Sequence, residues 1–247
     1  MLEKTWVGAV SYLNTKPLIY GFEHGVMQDE VHLILDYPSK LAERMNKGEL
    51  DVALLPVAAM ADIKNAFIFS EYCIGSEGKV ASVCLFSEVP MDEIDVIYLD
   101  YQSRTSVALL QVLLKHHWKK EVQFIPADEN YISNIKGSSA GLIIGDRAFE
   151  QLNHFEYIYD LAGEWHSFTG LPFVFAAWVS TKDLSSKFVD DFNRAIAVGL
   201  SHLNEICSSQ QYPHYDLNVY YNHNISYKLD SKKQDALVLF RKLISEL

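Results

Sequence analysis

Short apolar strands that alternate with amphipathic helices limit the fold of this chain more than any other feature. The first three apolar runs are Trp6–Val10, Val31–Leu35 and Asp51–Leu55. Helical segments that open near Pro17 and Pro38 separate them. A strand, a helix and a strand joined by short connections place both strands parallel in one sheet. The sequence therefore predicts an α/β protein.

The same alternation continues through the middle of the chain. Further strands are predicted at Val80–Phe86, Asp95–Leu99, Val122–Ile125, Gly141–Ile144, Tyr157–Leu161 and Phe173–Ser180, and helices at Ser103–Leu114, around Phe149, at Ser185–Asn204 and at Ser231–Leu247. The segment Tyr212–Tyr227 has no clear periodicity and is predicted to be loop and short helix.

Two domains without a linker between them are predicted. The chain has no Gly/Ser-rich tract, so it is expected to cross from one domain to the other and back, near Phe86–Pro90 and near Val179–Asp183. The first domain then takes residues 1–87 and 180–247, and the second takes residues 88–179.

Composition excludes several classes of partner. The net charge of −11, from 21 Lys and Arg against 32 Asp and Glu, disfavours binding to nucleic acid and to anionic lipid. The three cysteines have no CxxC spacing, which fits reduced thiols in a reducing compartment. The first residues lack the apolar core of a signal peptide, and no apolar run is long enough to span a membrane. A cytoplasmic protein is expected.

Motifs for common cofactors are missing from the sequence. HExxH, the Walker loop and GxGxxG are all absent, so neither a metal nor ATP nor a dinucleotide is expected, and we predict no cofactor. Ser82 is not surrounded by a Gly-x-Ser-x-Gly motif, which disfavours a nucleophilic triad.

Five segments in register resemble the chorismate dehydratases of the futalosine route to menaquinone. They are GAVSYLNTKPL (residues 8–18), DVALLP (51–56), SRTSVALL (103–110), GDRA (145–148) and LPFVFA (171–176). The resemblance implies a two-lobed periplasmic-binding-protein-like type II fold with a ligand cleft between the lobes. It also implies a hydro-lyase that removes water from a small anionic substrate, chorismate. The chain departs from the family at Val57, where a serine is frequent, and at Lys79 and Ala81, where an arginine is expected before Ser82.

The resemblance also implies a set of site residues. Asn14 and Ser82 are the expected catalytic residues. The expected substrate-binding residues are Ser11, Tyr12, Thr15, Lys16, Pro56, Ser103, Arg104, Thr105, Ser106, Gly145, Asp146 and Phe173.

Structural roles compete with several of these assignments in the first domain. Asn14 follows a strand end, where ligands bind in α/β sheets, but it could also be a turn residue bonded to its own backbone. Thr15 could cap the helix that begins at Pro17. Lys16 is either a cation of the site or a solvated surface residue.

Structural roles compete in the second domain as well. Ser103 could simply cap a helix, although SRTS offers more donors than a cap requires and so favours an anion site, from which Arg104 could point away. Ser82 could be a small residue in a tight sheet. Asp146 is expected to cap the helix that follows it, and Phe173 could line the site or lie in the core.

Four other functions share this predicted fold. A solute-binding receptor normally carries an export signal, and a ligand-sensing regulator needs a DNA-binding domain. The third is the sister enzyme of the same pathway, which acts on cyclic de-hypoxanthine futalosine. The SYLNTKP opening favours the dehydratase over that enzyme. The fourth is a non-catalytic protein that binds a small anion.

Overall fold

Two compact units make up the computed structural model, which describes residues 4–247 apart from the side chain of Ser39. The first unit comprises the chain up to Gly75 together with Val174–Asp230, and the second comprises Ser76–Phe173 together with Ser231–Leu247. The chain thus passes between units three times rather than the two times predicted, because its last helix belongs to the second unit.

Packing of aromatic side chains explains why the last helix differs from the prediction. Phe240 of this helix lies edge-on to Trp165 and Phe173, with ring centroids 5.8 and 4.8 Å away. All three side chains are buried in the second unit. The apolar spacing predicts that this helix covers a core, but does not specify which of the two cores it covers.

Strands and helices occur in the order that the periodicity predicts, with additions. The strands are β1 (Thr5–Val10), β2 (Val31–Asp36), β3 (Val52–Pro56), β4 (Phe67–Ser76), β5 (Val83–Ser87), β6 (Val96–Leu99), β7 (Gln123–Pro126), β8 (Ser139–Ile144), β9 (Tyr157–Asp160), β10 (Phe173–Ser180) and β11 (Ser226–Lys228). The α-helices are α1 (Lys16–Glu23), α2 (Pro38–Asn46), α3 (Arg104–Val112), α4 (Asp146–Gln151), α5 (Leu161–Thr169), α6 (Ser186–Ser201), α7 (Leu203–Ser209), α8 (Leu217–Val219) and α9 (Ser231–Ile244). Short 3-10 helices lie at Leu13–Thr15, Val57–Asp62, Met91–Glu93 and Tyr131–Asn134, and π-helical turns at Leu113–Trp118 and Tyr220–Asn224.

The first unit is built on a six-stranded sheet within the described residues, in the order β11-β4-β10-β3-β1-β2. Strand β1 pairs in parallel with β2 and β3, as the alternation predicts, and β10 pairs antiparallel to β3. The carboxyl ends of β1 and β3 therefore lie at one edge of this sheet.

Glycines bring helices α1 and α6 of the first unit unusually close together. A Cβ atom on Gly199 would lie 1.9 Å from the carbonyl oxygen of Pro17, and one on Gly21 would lie 2.1 Å from that of Ala195. No other residue type fits at either position without moving a helix. This contact fixes α1, which begins directly after the turn that carries Asn14.

The second unit is built on a five-stranded sheet within the described residues, in the order β7-β6-β8-β5-β9. Strand β6 is parallel to β7 and β8, whereas β5 is antiparallel to β8 and β9. The amino end of β5 consequently lies at the same edge as the carboxyl ends of β6 and β8.

Two smaller predictions can be compared with the structure. The cysteines are free thiols, with Cys73 and Cys84 buried and Cys207 partly buried, as expected. Between residues 4 and 247, no helix is both long enough and apolar enough to cross a membrane.

Candidate functional site

The turn after β1 holds four of the predicted site residues of the first unit. Ser11 is exposed, whereas Tyr12 and Asn14 are partly exposed. The Thr15 hydroxyl is wholly buried and donates to Asn14 Oδ1 at 3.2 Å. Thr15 occupies the N-cap position of α1, but its side chain makes no capping hydrogen bond. Its side chain therefore orients Asn14 instead of capping the helix as one reading of the sequence proposed.

Lys16 and Pro56 complete the first-unit set. Lys16 is the first residue of α1 and is partly exposed, and Pro56 is the buried last residue of β3. Because β1 and β3 are parallel neighbours, Pro56 lies at the same sheet edge as Ser11 and Tyr12. Val57, which departs from the family pattern, is 4% exposed and packs in the core.

Three segments of the second unit converge at one edge of its sheet. Ser82 directly precedes β5 and is 1% exposed. Its carbonyl oxygen accepts a hydrogen bond of 2.8 Å from the backbone N–H of Gly145, which follows β8. The start of α3, which follows the parallel strand β6, contributes the third segment.

Hydroxyl groups surround the first turn of α3. Ser103 is the N-cap: its Oγ accepts from the N–H of Ser106 at 3.2 Å and lies 3.0 Å from Ser106 Oγ. Thr105 and Ser106 are buried, whereas Arg104 is exposed. The capping role of Ser103 is thus confirmed. The positive end of the helix dipole and the remaining first-turn N–H groups give this segment the chemistry of an anion site.

Gly145 supports the sharp turn from β8 into α4. Its φ of +67° and ψ of −152° lie in a region that is almost exclusive to glycine. Gly145 itself occupies the N-cap position, and Asp146 is the first residue of α4. The expectation that Asp146 caps this helix is therefore wrong, since the glycine turn lets the helix start one residue earlier, with Gly145 at the N-cap position.

A buried network beside these segments includes residues that sequence reasoning missed. Asp100 follows β6 directly and its side chain is fully buried. Asp100 Oδ2 accepts from the Arg147 guanidinium at 2.7 Å and lies 2.9 Å from the Tyr131 hydroxyl. The guanidinium also lies over the ring of Tyr101, 5.4 Å from its centroid. Arg147 is thereby held from two sides, with 27% of its side chain exposed.

Burial and the neighbouring charge shift the pKa of Asp100 in opposite directions. Burial raises the pKa of Asp100, while the Arg147 cation and hydrogen bonds from Gln102 and Tyr131 lower it. Burial and the Asp100 carboxyl raise the pKa of Tyr131 strongly, so its phenol stays neutral and acts as a donor. The network therefore holds the Arg147 guanidinium in a fixed position. It lies at the same sheet edge as Gly145 and Ser82.

Phe173 has a different environment from the other predicted residues. It is 1% exposed, and its ring packs at 5.3 Å from Trp165 in the core of the second unit. This packing accounts for Phe173 as a core residue, which is the alternative that the sequence left open.

The structure thus brings the predicted residues together in two sets, one in each unit. Ser11, Tyr12, Asn14, Thr15, Lys16 and Pro56 lie at the edge of the first sheet, and Ser82, Ser103, Arg104, Thr105, Ser106, Gly145 and Asp146 lie at the edge of the second. The sequence did carry a signal for two of the missed residues. Asp100 is a carboxylate at the end of a buried strand, and Arg147 lies inside the GDRA motif.

Comparison with known proteins identifies relatives over nearly the whole chain. A family model described as menaquinone biosynthesis matches residues 5–246. A chorismate dehydratase of Thermus thermophilus is 25% identical over 228 residues, which cover 83% of this chain and 80% of that protein. A chorismate dehydratase of Campylobacter jejuni is 28% identical over 144 residues, which cover 56% of this chain and 64% of that protein.

Solved structures show the fold. A protein of Archaeoglobus fulgidus superimposes with a TM-score of 0.70 at 15% identity, over 98% of this chain and 97% of that one. A Candida albicans protein described as having the generic periplasmic binding protein fold superimposes with a TM-score of 0.60 at 14% identity, over 99% of this chain and 94% of that one. The predicted periplasmic-binding-protein-like α/β fold is confirmed.

Proposed function

The chain belongs to the menaquinone biosynthesis family, and we propose that it is a chorismate dehydratase, a carbon–oxygen lyase that forms 3-(1-carboxyvinyloxy)benzoate and water. The observation that carries this proposal is the convergence of Ser82, Gly145 and the start of α3 at one sheet edge, beside a guanidinium that a buried carboxylate fixes. Relatives described as chorismate dehydratases match most of the chain and support the same activity.

Dehydration of chorismate requires the loss of a hydroxyl group and of a proton from two neighbouring ring carbons. The hydroxyl leaves one ring carbon as hydroxide and a proton leaves the adjacent ring carbon. The electron pair of that C–H bond becomes the new ring double bond, and the proton and hydroxide together make water. Because the ring becomes aromatic, the reaction is favourable. The protein needs mainly to orient the substrate and to assist the departure of both groups.

The edge of the second sheet is proposed to hold a carboxylate of the substrate. The first turn of α3 offers backbone N–H groups and buried hydroxyls at the positive end of the helix dipole. Arg147 adds guanidinium N–H donors next to them, and Asp100 compensates part of its charge. Because Asp100 and Tyr101 already hold the guanidinium, it loses less side-chain entropy when it binds a ligand. Since the overall net charge of −11 repels an anion, the proposed binding of an anionic ligand depends on these local donors.

Ser82 and Asn14 are proposed to be the catalytic residues. The carbonyl oxygen of Ser82 is bound to the N–H of Gly145, and its hydroxyl is proposed to donate a hydrogen bond to the departing hydroxyl of the substrate. Asn14 stands in the family motif after β1, where Thr15 orients its amide oxygen. The base that takes the ring proton is proposed to be a carboxylate of the substrate itself. We also propose that the enzyme works in the cytoplasm, where its free cysteines remain reduced.

Turnover of chorismate tests the proposal. Purified protein is incubated with chorismate without added metal or cofactor, and the mixture is analysed by mass spectrometry. We expect a product that is lighter than chorismate by one water, and a turnover that is lower by roughly 100-fold or more in the Ser82→Ala variant. A folded wild-type protein that leaves chorismate unchanged would overturn the proposal. In that case, binding of chorismate without turnover would indicate an anion-binding protein instead.

A further inference from the structure

We infer that Asp160 is a positioning residue that holds Ser82 in place through the backbone of Ala81. This inference rests on the proposed function, in which Ser82 acts on the substrate. Asp160 is the last residue of β9, lies next to β5 and is 7% exposed. It is neither in the family motifs quoted above nor in contact with the buried network of Asp100.

Four backbone N–H groups from two separate segments converge on the Asp160 carboxyl group. Its Oδ1 accepts from Val80 at 3.1 Å, from Ala162 at 3.1 Å and from Gly163 at 3.0 Å. Its Oδ2 accepts from Ala81 at 2.6 Å. The contacts with Ala162 and Gly163 cap helix α5, as an aspartate commonly does. The contacts with Val80 and Ala81 have no part in that cap, and they tie the segment before Ser82 to the helix start.

Ala81 needs this support because of its backbone conformation. Its φ is +64°, in the left-handed region that residues with a Cβ atom seldom occupy. The short hydrogen bond to Asp160 stabilises this conformation, which turns the chain into β5. Ser82 follows immediately, and its carbonyl oxygen is fixed on the other side by Gly145. The direction of the Ser82 side chain therefore depends on the conformation of Ala81.

The two carboxyl oxygens of Asp160 accept from different N–H groups, and this difference permits a sharp test. In an Asp160→Asn variant, the amide oxygen can take the position of Oδ1 and keep its three acceptor contacts. The amide NH₂ then replaces Oδ2 and faces the N–H of Ala81, donor against donor. This variant preserves the cap of α5 and removes the Ala81 hydrogen bond. We expect a folded protein in which Ser82 is displaced.

Kinetics distinguish positioning from general stability. Since a misplacement of about 1 Å can lower a rate by about 100-fold, Asp160→Asn should lower kcat for chorismate by roughly 10- to 100-fold. KM should change by less than about threefold, since the residues proposed to bind the carboxylate are untouched. In the Ser82→Ala background, the same change should lower the residual kcat by less than about twofold, because residues that act through one another are not additive. Full multiplication of the two effects would overturn the inference.

A matched control and a second measurement complete the experiment. Asp216 caps the short helix α8 through one carboxyl oxygen, so Asp216→Asn repeats the chemical change without any contact with Ser82, and it should keep wild-type kcat. Hydrogen exchange of the amides of residues 80–82 should be faster in Asp160→Asn than in the wild type and in this control. Unchanged exchange and unchanged kcat in Asp160→Asn would contradict the inference. If the wild-type protein does not convert chorismate, the proposed function fails, while hydrogen exchange still decides whether Asp160 holds this segment.

Discussion

The backbone N–H of Gly145 donates a 2.8 Å hydrogen bond to the carbonyl oxygen of Ser82, and this bond joins the end of β8 to the start of β5. It depends on a backbone conformation at Gly145 that is nearly exclusive to glycine. The proposed catalytic hydroxyl is thus fixed by main-chain geometry on both sides, by Gly145 on one and by Ala81 on the other.

Substitution of Gly145 should therefore affect both stability and activity. We expect Gly145→Ala to lower the free energy of unfolding by about 1–3 kcal/mol, because alanine is strained in this region. Turnover of chorismate should fall as well, since relaxation of the strain moves Ser82. Urea unfolding and steady-state kinetics check the two effects. Gly137→Ala is the control for the kinetics: Gly137 also has a positive φ, +57°, so alanine is strained there too, and a Cβ would meet no atom within 4 Å. A Gly145→Ala variant with control-like kinetics would contradict the prediction.

Asn14 gives a prediction in which activity and stability separate. Asn14→Ala should abolish turnover of chorismate, because the proposed catalytic amide is lost. The cost in stability should be only about 1 kcal/mol, since the buried Thr15 hydroxyl loses its acceptor. Product formation followed by mass detection, together with thermal unfolding, tests both parts. Asn222→Ala, which removes an exposed helical amide, should be fully active. Near-normal turnover in Asn14→Ala would exclude the proposed role.

Much of the fold follows from local sequence patterns. The parallel arrangement of β1, β2 and β3 was predicted because each strand is an apolar run bounded by helix signals. Strand β4 was missed although it is ten residues long. Its segment, FIFSEYCIGS, mixes polar and apolar residues without strict alternation, and its pairing is with β11 and β10, which are distant in the sequence. The missing alternation, rather than the distance to its partners, therefore explains why the strand was not predicted.

Motifs indicated segments that the structure brings together, but they did not assign the role of each residue in them. SRTS and GDRA predicted two of the segments that meet at the edge of the second sheet. Tyr131 and Asp160 could not be predicted, because their importance comes from partners 31 and 79 residues away along the chain. Ala81 was noted only as a departure from the family, since a positive φ on alanine cannot be predicted from composition or spacing.

Helix packing in the first unit makes Gly199 sensitive to any added atom. A Cβ at this position would lie 1.9 Å from the carbonyl oxygen of Pro17, so α1 and α6 must separate to accept it. We expect Gly199→Ala to lower the free energy of unfolding by about 1–3 kcal/mol, as other overpacked contacts do. Urea unfolding checks this value. Gly78→Ala is the control, since a Cβ there would meet no atom within 4 Å. Equal stability of the two variants would show that the helices are not in close contact.

Arg147 should stabilise the protein in a way that depends on pH. Arg147→Ala leaves the buried Asp100 carboxylate without its cation. We expect the free energy of unfolding to fall by about 3 kcal/mol near neutral pH, at the low end for a buried pair.

The pH dependence follows from the pKa of Asp100. Burial already raises this pKa and Arg147 lowers it, so removal of Arg147 should raise it further. A carboxyl group with a raised folded-state pKa binds its proton more tightly when folded, so its destabilising effect grows as the pH rises above the unfolded value of about 3.9. The deficit of the variant relative to wild type should thus shrink as the pH falls from about 7 to about 5, measured by urea unfolding at both. The Arg194→Ala control removes an exposed partner of Asp191 and should leave the free energy of unfolding close to that of the wild type at both pH values. A deficit for Arg147→Ala that is equal at both pH values would mean that Asp100 does not depend on Arg147 for its charge.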